Sequence, residues 1–153
     1  MSKTEETLNY VIYTDGSCLN NPGPGGYAAI LMDDLVGYDE LVGGEPHSTN
    51  NRMELMAAIV GLENCPKHNG PIKLYSDSTY VINGITKWIQ GWKTKGWRKI
   101  KNRDLWERLD RVVQTHNNIE WIWVRGHNGT LLNEKADKLA VAQAEKQKSL
   151  LTN

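Results

Sequence analysis

The segment Asn50-Asn-Arg-Met-Glu-Leu-Met-Ala-Ala-Ile-Val-Gly-Leu62 constrains this fold more than any other stretch. It reads as a helix capped by Thr49 or Asn50, with so many apolar positions that it must be buried on most sides. Short β-rich runs flank it, at residues 35–42 and 72–75. A helix inserted between two strands is a crossover, and a crossover returns the chain parallel to an earlier strand. Upstream, residues 8–14, 27–32 and 35–42 read as strands with short connections. Residues 20–26, dense in Asn, Pro and Gly, read as a loop, and Asp33-Asp34 as a turn. Three antiparallel strands and then a crossover put the fourth strand beside the first.

Downstream, a short helix over 78–85 leads into Trp88-Ile-Gln-Gly-Trp92. Residues 104–113 form an amphipathic helix with Leu105, Leu109, Val112 and Val113 on one face. A fifth strand over 119–124 turns Ile119, Trp121 and Trp123 to one side. Asn133 can cap a last helix running to about 148, which puts Asp137 in its first turn, where the helix dipole favours an anion. The expected architecture is α/β: a mixed five-stranded sheet of order 3-2-1-4-5, the first three strands antiparallel, with helices on both faces. Residues 1–153 form one domain, with 1–7 and 149–153 frayed.

No apolar run approaches the ~18 residues that cross a bilayer, and the N-terminus is not a signal peptide, so a cytoplasmic protein with no membrane partner is expected; a monomer is expected too, though a dimer is not excluded. Cys18 and Cys65 are the two cysteines and lack metal-binding spacing, which argues against a disulfide scaffold or a zinc site. Formal net charge is zero, yet the charges are segregated. Residues 1–63 hold ten acids against Lys3 and Arg52, whereas 87–103 hold Lys87, Lys93, Lys95, Arg98, Lys99, Lys101 and Arg103 with no acid. A basic protrusion therefore stands beside an acidic body.

The apolar run Tyr10-Val-Ile-Tyr-Thr14 ends at Asp15, and residues 72–75 end at Ser76-Asp77. Open α/β sheets place their sites at such strand ends. Glu54 is the lone acid in the crossover helix, and with Asp137 these four carboxylates can converge. Each alone reads equally as a cap or a turn residue. Together they repel one another unless cations are present, and hard oxygen ligands suit Mg²⁺ or Mn²⁺. Two such ions about 4 Å apart serve phosphoryl transfer.

Tyr-Thr-Asp-Gly-Ser-Cys at 13–18, Asn-Asn-Arg-Met-Glu-Leu at 50–55, Ser-Asp-Ser at 76–78 and Gly-His-Asn-Gly…Asn-Glu-Lys-Ala-Asp at 126–137 resemble bacterial type 1 ribonuclease H. The resemblance covers residues 10–144, with the motifs in family order. It implies the ribonuclease H-like fold and an endonuclease that hydrolyses the RNA strand of RNA–DNA hybrids, leaving 3′-hydroxyl and 5′-phosphate ends. Asp15, Glu54, Asp77 and Asp137 match the family's metal ligands for two Mg²⁺ ions, with Mn²⁺ able to substitute. Asp15 would bridge both ions, Asp137 would help hold the nucleophile-side ion, and Glu54 and Asp77 the other. His127 matches the family's histidine linked to proton transfer or product release. His47, His68 and His116 read as surface residues.

The resemblance also implies a hybrid-binding surface. Trp88, Trp92 and Trp97, interleaved with Lys93, Lys95, Arg98 and Lys99, resemble the basic handle that contacts the DNA strand. Cys18, Asn21, Asn50, Asn51 and Thr79 match minor-groove positions, where the 2′-hydroxyl distinguishes RNA from DNA. Thr49 matches the DNA-phosphate pocket. Rival readings are a retroelement ribonuclease H domain and a hybrid-binding module without catalysis.

Overall fold

The computed structural model describes residues 8–67, 70–125 and 130–151. Strands β1 (Tyr10–Cys18), β2 (Gly23–Asp33) and β3 (Tyr38–Ser48) form an antiparallel meander. Helix α1 (Asn50–Asn64) then crosses to β4 (Ile72–Ser76), which lies parallel to β1 with Tyr13 opposite Tyr75. Helix α2 (Thr79–Asn83), a π-helical turn (Gly84–Trp88), α3 (Ile89–Thr94) and α4 (Arg103–Val113) precede β5 (Ile119–Trp123), parallel to β4. Helix α5 (Leu131–Leu151) closes the chain, and the strand order is β3-β2-β1-β4-β5. This is the architecture expected from the crossover argument.

The two sheet faces are covered differently. On one, Ile12, Ala29, Ile72 and Leu74 pack against Leu55, Ala58, Ile59 and Leu62 of α1 and against Leu105, Trp106 and Leu109 of α4. These side chains make the main core. On the other face α5 buries Ala136, Ala140 and Ala144 over β2. A Cβ on Gly26 would fall on the backbone of Ala140 and Ala144, so the helix lies against the strand itself. One residue earlier, a Cβ on Gly25 would meet Met53 of α1 on the opposite face.

That double requirement corrects the loop expected over residues 20–26. The turn is confined to residues 19–22, where a Cβ on Gly23 would meet the Leu19 carbonyl, whereas Gly23 to Gly26 are strand, and Gly25 and Gly26 serve close helix approach on opposite faces. Other boundaries move less. The third strand begins at Tyr38 and runs to Ser48, and the last helix extends to Leu151, into the stretch expected to fray. Asn133 is not its cap: the Thr130 hydroxyl accepts from the Asn133 amide at 3.3 Å, which leaves Asp137 in the second turn. Trp123 shares a side with Ile119 and Trp121 but stands 47 % exposed at the strand end. His116, expected at the surface, is buried, with Nε2 3.1 Å from the Leu62 carbonyl. His47 is exposed, and His68 lies outside the described residues.

Candidate active site

Asp15 lies inside β1, just past the end of its pairing with β4, and Asp77 directly follows β4, each two residues past the Tyr13–Tyr75 pair. Those two rings stack at 4.6 Å beneath them. Helix α1 starts at Thr49, whose hydroxyl accepts from the Arg52 amide at 3.2 Å and fixes the first turn. That turn brings Glu54 over the end of β1. A Cβ on Gly16 would fall on the backbone of Met53 and Glu54, so only glycine lets the helix approach this closely. The Gly16 amide then donates to Glu54 Oε1 at 2.8 Å and to Asp15 Oδ1 at 2.9 Å. From the other face α5 sets the Asp137 carboxyl against Asp15.

Carboxylate oxygens of Asp15, Glu54 and Asp77 lie within 4.8 Å of one another. With Asp137 they line an open cleft of about 360 Å³, shared with Gly16, Asn50, Asn51, Ser78, Thr79 and Tyr80. Burial, reinforced by the Asp77 and Asp137 charges against a lowering hydrogen bond from Glu54, pushes the Asp15 carboxyl up to about 7. Burial and the neighbouring Asp15 raise Glu54 well above the usual carboxylate range, against the Gly16 amide, which lowers it. Glu54 Oε2 is buried with no N–H or O–H donor from the described residues. Acceptors without donors require either a proton or a cation between them. All four side chains offer hard oxygen, so the donor set fits Mg²⁺ or Mn²⁺.

Of the other expected site residues, Asn50, Asn51 and Thr79 lie on the cleft wall. Cys18, Asn21 and Thr49 do not line it. The Cys18 thiol is directed at the carbonyls of Gly23 and Ser48, both at 3.4 Å. Asn21 Oδ1 accepts from the Asn50 amide at 3.0 Å and so steadies the helix start. His127 lies outside the described residues.

In the basic segment Lys95, Arg98 and Lys99 are exposed, whereas Lys93 is paired with Asp110 at 3.2 Å. Trp88 is exposed and lies 6.1 Å from Trp92, which meets the buried Trp106 edge-on at 5.1 Å. Trp97 is half-buried against the core. Sequence reasoning passed over Gly16, Ser78 and Tyr80. A glycine directly after the strand-end acid was the available signal for the first, while the others depend on where α2 settles.

The family model for RNase H matches residues 7–145. A ribonuclease H of Alcanivorax borkumensis is 55% identical over 141 residues, 86% of this chain and 89% of that protein. A ribonuclease HI of Xylella fastidiosa is 53% identical over 146 residues, 92% of this chain and 95% of that one. Among solved structures, LC9-RNase H1, described as a type 1 RNase H with the type 2 active-site motif, superposes with a TM-score of 0.84 at 32% identity, over 92% of this chain and 74% of that one.

Proposed function

The chain belongs to the RNase H family, and we propose that it is a metal-dependent endonuclease cutting the RNA strand of RNA–DNA hybrids to 3′-hydroxyl and 5′-phosphate ends. The observation that carries this reading is the four-carboxylate cleft with its donor-poor, buried Glu54 beside a basic surface. A bare hybrid-binding module has no use for acids that repel phosphate. Digesting one labelled hybrid with and without Mg²⁺, against matched double-stranded RNA and DNA, tests it. Cleavage confined to the RNA of the hybrid, and only with metal, is the expected result.

Asp15, Glu54, Asp77 and Asp137 would hold two Mg²⁺ ions, with Mn²⁺ able to substitute. When bound, such ions supply activation of water and neutralisation of charge on the leaving oxygen. The chain itself positions the substrate and keeps it in line. Asn50, Asn51 and Thr79 stand on the cleft wall, where short polar groups can read 2′-hydroxyls in a wide minor groove. Lys95, Arg98 and Lys99 present cations to phosphate, while Trp92 and Trp97 brace the segment that carries them. The protein would work in the cytoplasm as a monomer; no helix among the described residues is long and apolar enough to cross a membrane.

Removing Lys95 and Lys99 together should raise KM and flatten the salt dependence by about one unit of slope per lost phosphate contact. kcat should hold, because these cations bind ground and transition states alike. A hundredfold fall in kcat at constant KM would contradict the assignment. His127 lies in the connection between β5 and α5, flanked by Gly126 and Gly129. An imidazole there would carry a proton or loosen the product phosphate. Since general acid–base help is worth about 10²–10⁴-fold and assisted release less, His127→Ala should lose roughly 10- to 100-fold in kcat with KM within a few fold. Wild-type kcat in that variant from about pH 6 to 9 would return His127 to an ordinary loop residue.

A further inference from the structure

We infer that Tyr80 is a positioning residue that ties both limbs of the basic segment to the wall of the carboxylate cleft, so that nucleic acid seated on the segment is felt at the reacting centre. The inference rests on the reading of this cleft as a hybrid-cleaving site. Tyr80 lines the cleft beside Ser78 and Thr79, three residues after Asp77. Its hydroxyl accepts from Trp106 Nε1 at 2.9 Å and from Asn102 Nδ2 at 3.2 Å. Both donors sit at the start of α4, on the returning limb, and the outgoing limb joins them through Trp92.

The outgoing limb reaches Tyr80 through aromatic rings. Trp92 of α3 meets Trp106 at 5.1 Å and 66°, and Trp106, fully buried, meets Tyr80 at 5.4 Å and 64°. The π-helical turn between α2 and α3 makes room for this, because a Cβ on Gly84 would fall on the Trp106 ring. Single π-helical turns recur at functional positions.

The returning limb arrives at Asn102, where the basic run gives way to α4. Asn102 Oδ1 accepts from Arg52 Nη1 at 3.3 Å. A guanidinium only donates, so the orientation of the amide is forced and Nδ2 must face Tyr80. Asn102 holds a left-handed backbone, φ 60° and ψ 31°, at the N-cap of α4, yet its side chain makes no capping bond. A favoured cap residue that forgoes capping and gives its amide entirely to two distant partners supports a positioning role. Arg52 also grips Asp104 at 2.9 and 3.0 Å and lies two residues before Glu54. One cluster therefore joins α1, α4 and the cleft wall. Close-packed groups of this kind pass on displacements instead of absorbing them.

Tyr80→Phe keeps the ring and deletes the shared oxygen. Asn102→Gly deletes the amide and suits the left-handed backbone. With saturating metal, each variant should lose about tenfold in kcat, since misplacement by a fraction of an ångström is costly at a reacting centre. Hybrid affinity should stay within about twofold, because the phosphate contacts remain. The double variant should be no worse than the poorer single one, as for two ends of one linkage. Asn102→Gly should melt at or above wild type while losing kcat, which mere support of the fold does not produce. Independently of turnover, binding hybrid without metal should shift the Trp106 indole N–H resonance. Losses that multiply, kcat values that follow melting temperature, wild-type kcat in both single variants or an unmoved Trp106 resonance would each overturn the inference. A wild-type protein that cuts no hybrid would refute the activity instead, and the Trp106 resonance would still judge the linkage.

Discussion

Asp15→Asn should lower cleavage by about three orders of magnitude or more, because several kcal/mol of charge stabilisation lapse with a central ligand. Hybrid binding should stay within a few fold, since phosphate contacts dominate affinity. In chelator the same variant should be more stable than wild type by about 1 kcal/mol at pH 8, as one charge leaves a repelling cluster. That corresponds to roughly 2–4 °C in melting temperature for a chain of this size. The sign depends on pH. Asp15 titrates at about 7 in the folded protein against an ordinary 3.8, so the native state binds the proton more tightly than the unfolded chain. Its contribution to stability is complete below about pH 4 and is lost as pH rises through about 7. Glu54 is shifted in the same direction. Metal-free wild type should therefore weaken across that window, and the advantage of Asp15→Asn should disappear near pH 5, where Asp15 is already protonated. Thermal melts in chelator at pH 5 and 8, with one turnover assay, check all of this. Substantial turnover by the variant would refute the role of Asp15.

Gly16→Ala should damage both the fold and the site through a single methyl group. Gly16 does not adopt a left-handed backbone, so the conformation itself accepts alanine. The obstacle is contact: the new Cβ falls on the backbone of Met53 and Glu54, which no side-chain rotation relieves. Helix α1 must move away from β1, with a cost of about 3 kcal/mol, the upper end for overpacking, and a drop of roughly 6–12 °C in melting temperature. The Glu54 carboxylate moves with the helix and loses the Gly16 amide, so kcat should fall about a hundredfold even well below the melting point. Differential scanning calorimetry and single-turnover rates on the variant provide the measurement. Wild-type melting and rate together would mean that α1 has slack there.

The contrast between Gly16 and Asp15 shows what this sequence made legible. The acids announce themselves, because an apolar β-rich run giving way to Asp is a local pattern, although β1 itself continues past Asp15 to Cys18, and the crossover at α1 fixed β4 beside β1. Asp15, Glu54, Asp77 and Asp137 could accordingly be placed together before any coordinates. Glycines at 25 and 26 misled, since local composition cannot distinguish a turn from a strand pressed between two helices. Thr130 replaced Asn133 as cap because either residue can accept that bond, and the choice depends on where the preceding connection lets the helix begin. Lys93 belonged to the basic run by charge, but its pairing with Asp110 depends on how α3 crosses α4. Tyr80 offered no local sign at all; its partners are 22 and 26 residues away.

The uneven covering of the two sheet faces has a further consequence. The large core lies between the sheet, α1 and α4, and none of its side chains comes from α5. That helix contributes three buried alanines, set over β2 where Ala28 and Ile30 are also buried outside the main core, and surface ties such as Lys135 to Glu40 at 2.8 Å, so it buries fewer large side chains than α1 or α4. Local opening needs less free energy than global unfolding where few large side chains are buried. Helix α5 is thus the natural first unit to detach, and it carries Asp137 away while Asp15, Glu54 and Asp77 stay in place. On the proposed reading of the site, each such opening would remove one of the four carboxylates without unfolding the domain, and amide hydrogen exchange along α5 would measure it.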